Sequence, residues 1–394
     1  MKILFFDPLS GGHRKKYCED FLNELAIQTR SNMEIGLAVS EDFDTTGLDK
    51  SIRIYKLKNK VRPGNLLLFY IKYLKSLIEV NNIFCRDKYE VLHHLYLDSF
   101  IIPTSLFYLL FNRDYSLIGV LHWAEMDSGR YDILYRLFKR AERFLWFQLI
   151  KKSKFIIIHG EAIKIKILSG LPSELKDKFY FLPYPIGIKG TEFIAKEKAR
   201  EYLCLSQEKI MLLAFGGTRY EKGSDILLSA ISKLPESINI IVVFAGEEKH
   251  FTREYFDTKI KEYKLINKVI LRLGFIKDDD MQYYYSACDG VILPYRKNFL
   301  GQSGPLTFAA KYCKPVIASD VLELKHIVIK YHTGICFIAE DEDSLAEKII
   351  EFHDNLKKYQ NNKFKNNIRK YLSISSLQNS IKTYIRIIGM NNSL

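Results

Sequence analysis

Apolar and polar positions along this chain follow two alternating rhythms. Short, nearly continuous apolar runs are followed by longer stretches in which apolar residues return every third or fourth position. The first rhythm reads as strands buried on both faces and the second as helices covering them, so the alternation predicts parallel strands crossed by helices. In the first half "KILFFD" reads as a strand, "RKKYCEDFLNELAIQ" as a helix and "MEIGLAVS" as a strand. "NLLLFYIKYLKSLIEV" reads as a helix with a polar stripe of Lys72, Lys75, Ser76 and Glu79. "YEVLHHLY", "YSLIGVLHW" and "KFIIIHGE" are further strands, each running out into histidine.

The prolines and glycines of "LPYPIGIKG", around 182–190, mark a linker. A second series follows. "KIMLLAFGG", "INIIVVFAG", "VILRLGF", "DGVILP", "KPVIAS" and "GICF" read as strands. "GSDILLSAISKL", "DDDMQYYYSA", "DEDSLAEKIIEFHDNLKKY" and a closing "SLQNSIKTYIRIIG" read as helices. The fold class expected is α/β, with two Rossmann-like doubly wound domains facing across a cleft. Residues 1–186 would form the first domain and 187–372 the second. Residues 373–394 would be a closing helix packed back on the first domain. A chain of 394 residues exceeds one ordinary core, which agrees with two domains.

Composition narrows the class. With 47% hydrophobic and 27% charged residues the chain is globular. No apolar run is long enough for a membrane span. The start, "MKILFFDPLSGG", brings acid and glycine too early for a secretory leader, so a cytoplasmic protein is expected. Six widely scattered cysteines lack metal or redox spacing and are expected to be buried thiols. The net charge of +13 fits either an anionic partner or a merely solvated basic surface. Seven Lys/Arg and no acid fall in 51–75, and seven more against Glu142 alone in 136–154. A phosphorylated substrate or an anionic membrane surface fits this; without zinc-finger spacing or RNA-binding aromatics, nucleic acid is not expected.

Ligands of doubly wound domains sit at the carboxyl ends of strands. In "FFDPLSGGHRKKY", Gly11 and Gly12 either make a tight turn or let a phosphate approach bare amides. In "AFGGTRYEKGSD", Gly216 and Gly217 follow a strand, and Arg219 and Lys222 supply cations suited to a diphosphate. In "YRKNFLGQSGPLTF", Gln302, Ser303 and Gly304 lead into a helix, with Pro305 expected at its first position. Leu306 and Thr307 are expected to present free N–H groups to an anion; plain capping by Ser303 is the alternative. His122, at the end of a first-half strand, is the candidate catalytic residue, able to bond a sugar hydroxyl or steady developing charge. The acidic runs "KDDDMQ" and "AEDEDSLAE" read as helix starts, and no metal site is expected.

These residues resemble the retaining glycosyltransferases of the GT-B fold, the group 1 or family 4-like enzymes that use nucleotide-sugar donors. The likeness is strong over about 210–340, in "FGGTRYEKGSDILLSAISKL", "LGFIKDDDMQYYYSACDGVILPY" and "GQSGPLTFAAKYCKPVIASDV", and weaker in "SGGH" and "GVLHW". The resemblance implies that Lys222 meets the donor phosphates, with Arg219 standing in for an arginine the family places at the position of Gly217. Gly12 would lie against the phosphates, His122 would contact the transferred sugar, and Ser303 to Thr307 would cradle the diphosphate. It implies no cofactor beyond the nucleotide diphosphate sugar as co-substrate. The acceptor implied is a glycan or a lipid-linked hydroxyl, in surface polysaccharide or glycolipid assembly, with peripheral contact at the inner face of a membrane. One departure stands out. Many members carry two glutamates eight positions apart; here those positions are Leu300 and Phe308. "YRKNFLGQSGPL" looks like a subset with a "YR…QSG.L" loop. A non-catalytic partner subunit and a nucleotide-sugar epimerase of the same fold remain the alternatives.

Overall fold

The structure, a computed structural model, describes residues 1–9, 13–29, 32–61, 65–111, 116–123, 133–187 and 193–392. It divides into two compact units, Met1–Gly187 with Ser375–Leu394, and Ile188–Ile374.

The first unit is built on a seven-stranded sheet. Its strands are β1 (Lys2–Asp7), β2 (Glu34–Ser40), β3 (Arg53–Leu57), β4 (Val91–His94), β5 (Ser116–Leu121), β6 (Ser153–Ile158) and β7 (Phe179–Phe181). They run in the order β3-β2-β1-β4-β5-β6-β7. All neighbours are parallel. Central strands such as β1 are buried on both faces, which explains their unbroken apolar runs. The helix His13–Thr29 covers β1 through Tyr17, Phe21 and Leu25. The closing helix Leu377–Asn392 packs on it, burying Ile381, Tyr384 and Ile388 in the same cluster. Its start is tied down where Leu377 N–H donates to Ile186 O at 3.1 Å and Ser380 Oγ donates to Pro183 O at 2.9 Å.

The second unit has six strands: β8 (Ile210–Phe215), β9 (Ile240–Gly246), β10 (Val269–Leu273), β11 (Gly290–Leu293), β12 (Val316–Ser319) and β13 (Gly334–Phe337). Their order is β10-β9-β8-β11-β12-β13, again all parallel. Both sheets reverse their winding once, between β1 and β4 and between β8 and β11. Such switch points open crevices at the carboxyl ends of the strands.

Several expectations change. Of the six cysteines only Cys18 and Cys288 are buried; Cys85, in the last turn of its helix, and Cys204, in the turn after the helix Lys196–Tyr202, are exposed. In the helix Leu66–Arg86 the buried face is Tyr73, Leu77, Val80 and Phe84. Ser76 of the expected polar stripe is buried, its hydroxyl donating to Lys72 O, while Leu67, Leu68 and Ile71 face solvent. The helices Ile101–Phe111 and Ile133–Lys152 were not marked by the apolar rhythm; the first is apolar nearly all round and the second strongly basic. The acidic runs do start helices. Asp341 caps Glu342–Asp354 by accepting from Ser344 N–H at 2.8 Å, and Asp278, Asp279 and Asp280 fill the first turn of Asp278–Ala287.

Candidate functional site

β8 ends at Phe215, and the chain turns sharply at Gly216, whose φ of 111° is closed to most side chains. Gly216 N–H donates to Ala245 O at 2.8 Å, and a Cβ on Gly246 would stand 2.3 Å from Gly216 O. The ends of β8 and β9 therefore interlock backbone to backbone. Thr218 anchors the next turn, its N–H donating to Glu247 O at 2.9 Å and its hydroxyl to Phe251 O at 2.6 Å. A short 3₁₀ turn, Tyr220–Lys222, then delivers the chain to Gly223. Gly223 is left-handed at φ 65°, and a Cβ there would lie 2.0 Å from Pro294 O at the end of β11.

Gly223 opens the helix Ser224–Ser232, which has no side-chain cap. The first-turn N–H groups of Ser224, Asp225 and Ile226 are not taken up by backbone carbonyls of the described residues. An uncapped helix start offers unpaired donors and the positive end of the helix dipole. A small cavity at this switch point is lined by Phe215, Gly216, Gly217, Lys222, Ser224, Pro294 and Tyr295.

Lys222 is partly buried, and its Nζ donates to Tyr295 Oη while lying 4.1 Å from that ring's centroid. Burial, and then the charge of Arg219, pushes its pKa down to about 7. No carboxylate hydrogen-bonds its ammonium among the described residues, so the group is available to an anion, whose charge would restore the proton. Tyr295 is buried, and its hydroxyl also meets Ser303 Oγ at 3.0 Å. Lys222, Tyr295 and Ser303 thus form one chain of polar atoms joining the β8 turn to the β11 loop.

Arg296 holds that turn in shape. Its guanidinium donates to Tyr220 O at 3.0 Å and to Asp225 Oδ2 at 2.5 Å, and stacks over the Tyr220 ring at 3.9 Å. Its N–H donates to Glu221 O at 3.0 Å. Arg219 points elsewhere: it is exposed and pairs with Glu221 at 3.0 Å, not with Lys222's partners.

The helix after the loop spans Gly304–Lys311, so Gly304 is its first residue and Pro305 its second. The expectation of free N–H groups at Leu306 and Thr307 is overturned. Leu306 N–H donates to Ser303 Oγ at 3.3 Å and Thr307 N–H to Ser303 O at 3.1 Å, because Ser303 caps its own helix. Pro305 has no N–H, which leaves that of Gly304, an exposed residue, as the donor at this helix start. Gln302 sits half-buried beside it. Leu300 is half-buried, and Phe308 stacks on Tyr285 with centroids 5.5 Å apart; neither can serve as a carboxylate.

In the first unit His122 follows β5 and is buried. Its Nε2 lies 3.0 Å from Leu95 O, and its ring stacks on Tyr96 at 4.1 Å. His159, 5.0 Å away centroid to centroid, is bonded to Tyr17 Oη at 2.7 Å and is pushed down to about 4 by burial. Gly11 and Gly12 lie outside the described residues. The fold therefore gathers Gly216, Gly217, Lys222, Ser303, Gly304, Leu306 and Thr307 at the β8–β11 switch point, and places His122 at the end of the first sheet.

Sequence reasoning passed over Tyr295, Arg296 and Ser224. The first two stand in the quoted "YR", immediately after a strand, where an aromatic–cation pair is a usable signal. Ser224 carried no signal, since an uncapped helix start is visible only in three dimensions.

Residues 195–371 match the family model described as Glycosyl transferases group 1. Over 147 residues the chain is 28% identical to an uncharacterized glycosyltransferase, MJ1607, of Methanocaldococcus jannaschii. That alignment covers 37% of this chain and 36% of the relative, so it spans little more than a third of that protein. Anabaena Alr3699/HepE, crystallised with UDP, superposes with a TM-score of 0.73 at 14% identity, covering 99% of this chain and 100% of its own. Sucrose-phosphate synthase of Thermosynechococcus elongatus reaches a TM-score of 0.78 at 15% identity, covering 100% and 99%. At such identities the likeness is one of fold: two Rossmann-like α/β domains of the GT-B class.

Proposed function

We propose, from residues 195–371 being a group 1 glycosyl transferase domain, that the protein moves a sugar from a nucleoside diphosphate sugar to a hydroxyl acceptor. The single observation that carries this is the Lys222–Tyr295–Ser303 chain beside the uncapped start of Ser224–Ser232. Charge develops on the leaving diphosphate as the glycosidic bond breaks. Lys222, the open amides from Ser224 to Ile226 and the Gly304 N–H are fixed donors for that charge, and fixed donors lower a barrier without reorganising. Arg219 would join them only by leaving Glu221. The transfer is read as retaining and metal-independent, with a donor phosphate oxygen helping to take the acceptor proton. Calorimetry with UDP-, GDP- and ADP-sugars, followed by a nucleotide-release assay, tests the reading. Absence of binding to every donor by the folded protein would sink it and favour the non-catalytic partner subunit that Leu300 and Phe308 suggest.

The acceptor side is read as working at an anionic membrane, as expected for a polysaccharide or glycolipid assembled at the inner face. No described helix is long and apolar enough to cross a membrane. Three helices that pack in sequence, Leu66–Arg86, Ile101–Phe111 and Ile133–Lys152, instead expose apolar residues among cations. Leu67 is 68% exposed and Leu110 78%, with Phe111 and Phe144 also exposed, beside exposed Lys72, Lys75, Arg140 and Arg143. Each cation near anionic lipid contributes on the order of 1 kcal/mol. Reversing four of them (Lys72→Glu, Lys75→Glu, Arg140→Glu, Arg143→Glu) is expected to lower sedimentation with phosphatidylglycerol vesicles at least about tenfold. Equal binding to neutral phosphatidylcholine would exclude this surface.

A further inference from the structure

Cation–carboxylate pairs stand on the loops that end β8, β9 and β11, and they differ in burial. Lys249 meets Glu247 at 2.7 Å and Arg219 meets Glu221 at 3.0 Å, with 53% and 46% of the two cationic side chains exposed. Pairs so open to water are screened and worth little. The pair made by Arg296 is of another kind. Its side chain is 8% exposed, and its guanidinium donates to Asp225 Oδ2 at 2.5 Å. Asp225 is the second residue of Ser224–Ser232, the helix whose uncapped start carries the open amides. Its Oδ1 is buried and has no hydrogen-bond partner among the described residues.

An acid in a first helical turn steadies the helix, because it sits at the positive end of the dipole. Here it also competes. A carboxylate within one turn of the amides that would take a diphosphate opposes the incoming charge, and an oxygen shut from water does so with less screening. We propose that Arg296 is a positioning residue for the nucleoside diphosphate. It cancels the charge of Asp225 and keeps that carboxylate on the guanidinium, so that the helix start presents donors alone to the anion. This role rests on the transfer proposed above and deepens it, by naming what keeps that site open to a diphosphate.

Arg296 also grips the turn that delivers Lys222: its N–H donates to Glu221 O and its Nε to Tyr220 O, both at 3.0 Å. Any residue but proline makes the first of these bonds, and the second does not involve Asp225. Were shape the whole of its role, losing either member of the pair would loosen the turn and weaken donor binding. Cancellation of charge predicts the opposite sign at the acid. Asp225→Asn removes the repulsion, leaves the guanidinium with a surplus charge and should not weaken binding.

Isothermal titration of the full chain at pH 7.5 with UDP, GDP, ADP, their monophosphates and inorganic pyrophosphate tests this, with circular dichroism melting of every variant alongside. Arg296→Gln should bind pyrophosphate and the preferred nucleoside diphosphate at least about tenfold more weakly than the wild type, and should lose less on the matching monophosphate. Arg296→Lys keeps the charge but cannot fork between Tyr220 O and Asp225, and should stay within about threefold of the wild type. Asp225→Asn should bind as tightly as the wild type or more tightly, and the double variant Arg296→Gln, Asp225→Asn should return to within about threefold. Unchanged affinity in Arg296→Gln, weakening by Asp225→Asn, no rescue in the double variant, or equal losses on mono- and diphosphate would each overturn the proposal. If Arg296→Gln does not fold, the signs at Asp225→Asn and Arg296→Lys decide it. A wild type that binds pyrophosphate but no nucleotide strikes the transferase reading, and the pyrophosphate series then judges Arg296. A wild type that binds neither overturns both.

Discussion

Replacing Lys222 by alanine is expected to weaken binding of the nucleotide donor by about tenfold to a hundredfold, the worth of a charge-assisted hydrogen bond in a partly closed site. The turn that carries the lysine should survive, because Arg296, Thr218 and Gly223 hold it independently. Tyr295→Phe removes only the hydroxyl that orients the ammonium and should cost less. The pH dependence gives a second handle. With Lys222 lowered to about 7, the free protein loses the ammonium as pH rises, so nucleotide affinity in the wild type should fall from pH 7 to 9. The slope approaches tenfold per pH unit at most. The alanine variant should show no such fall. Calorimetric titration at three pH values decides it: a flat wild-type profile, or unchanged affinity in the variant, would remove Lys222 from the site. For the fold the same shift has the opposite consequence. A lysine depressed in the native state makes stability rise with pH between about 7 and its ordinary 10.5.

The largest stability effect is expected at Arg200. This side chain is fully buried in the second unit. It donates to Ala287 O at 3.1 Å, Ser206 O at 3.0 Å, Gln207 O at 2.9 Å and Asp289 Oδ2 at 2.8 Å. Asp289 in turn accepts from Met211 N–H at 2.9 Å, from Lys196 at 2.5 Å and from Gln360 at 3.2 Å. The pair therefore ties β8 and the start of β11, the two strands that flank the second switch point, to the helices Lys196–Tyr202 and Leu356–Gln360. Removing Arg200 takes one of two cations from buried Asp289 and deprives the Ala287, Ser206 and Gln207 carbonyls of their donor, which together costs about 3–5 kcal/mol. Urea unfolding of Arg200→Ala, followed by circular dichroism, should show a loss of that size. A loss below about 1 kcal/mol would mean the network relaxes around the gap.

How much of the site was legible is best judged residue by residue. Lys222 was legible because a lysine between glycines, just after a strand, has few structural uses. Ser303 was legible as a helix start, and of the two readings open there, anion site and plain cap, the cap is the one the structure shows. A serine that caps a helix consumes the N–H groups that an anion would need, so the open amino end lies at Ser224 and not at Leu306. Arg219 looked like Lys222's companion on spacing alone; in space a neighbouring glutamate takes it. Asp225 stood in the open in "KGSD" without drawing notice, since an acid in a first helical turn is ordinary until its partner is known.

Legible in the linear pattern were the alternation of strands and helices and the strand ends at which chemistry would gather, but not β3, β7 or the helices Ile101–Phe111 and Ile133–Lys152. What was legible follows from local periodicity and from glycine, which a chain reveals without folding. Only the tertiary structure decided strand order, and with it which loops meet. Tyr295 reaches Lys222 because β11 pairs with β8, although 73 positions separate the two residues. It also decided which donors and acceptors are already spent. Hydrogen-bond satisfaction is a property of neighbours in space, and neighbours in space are what a linear pattern leaves open.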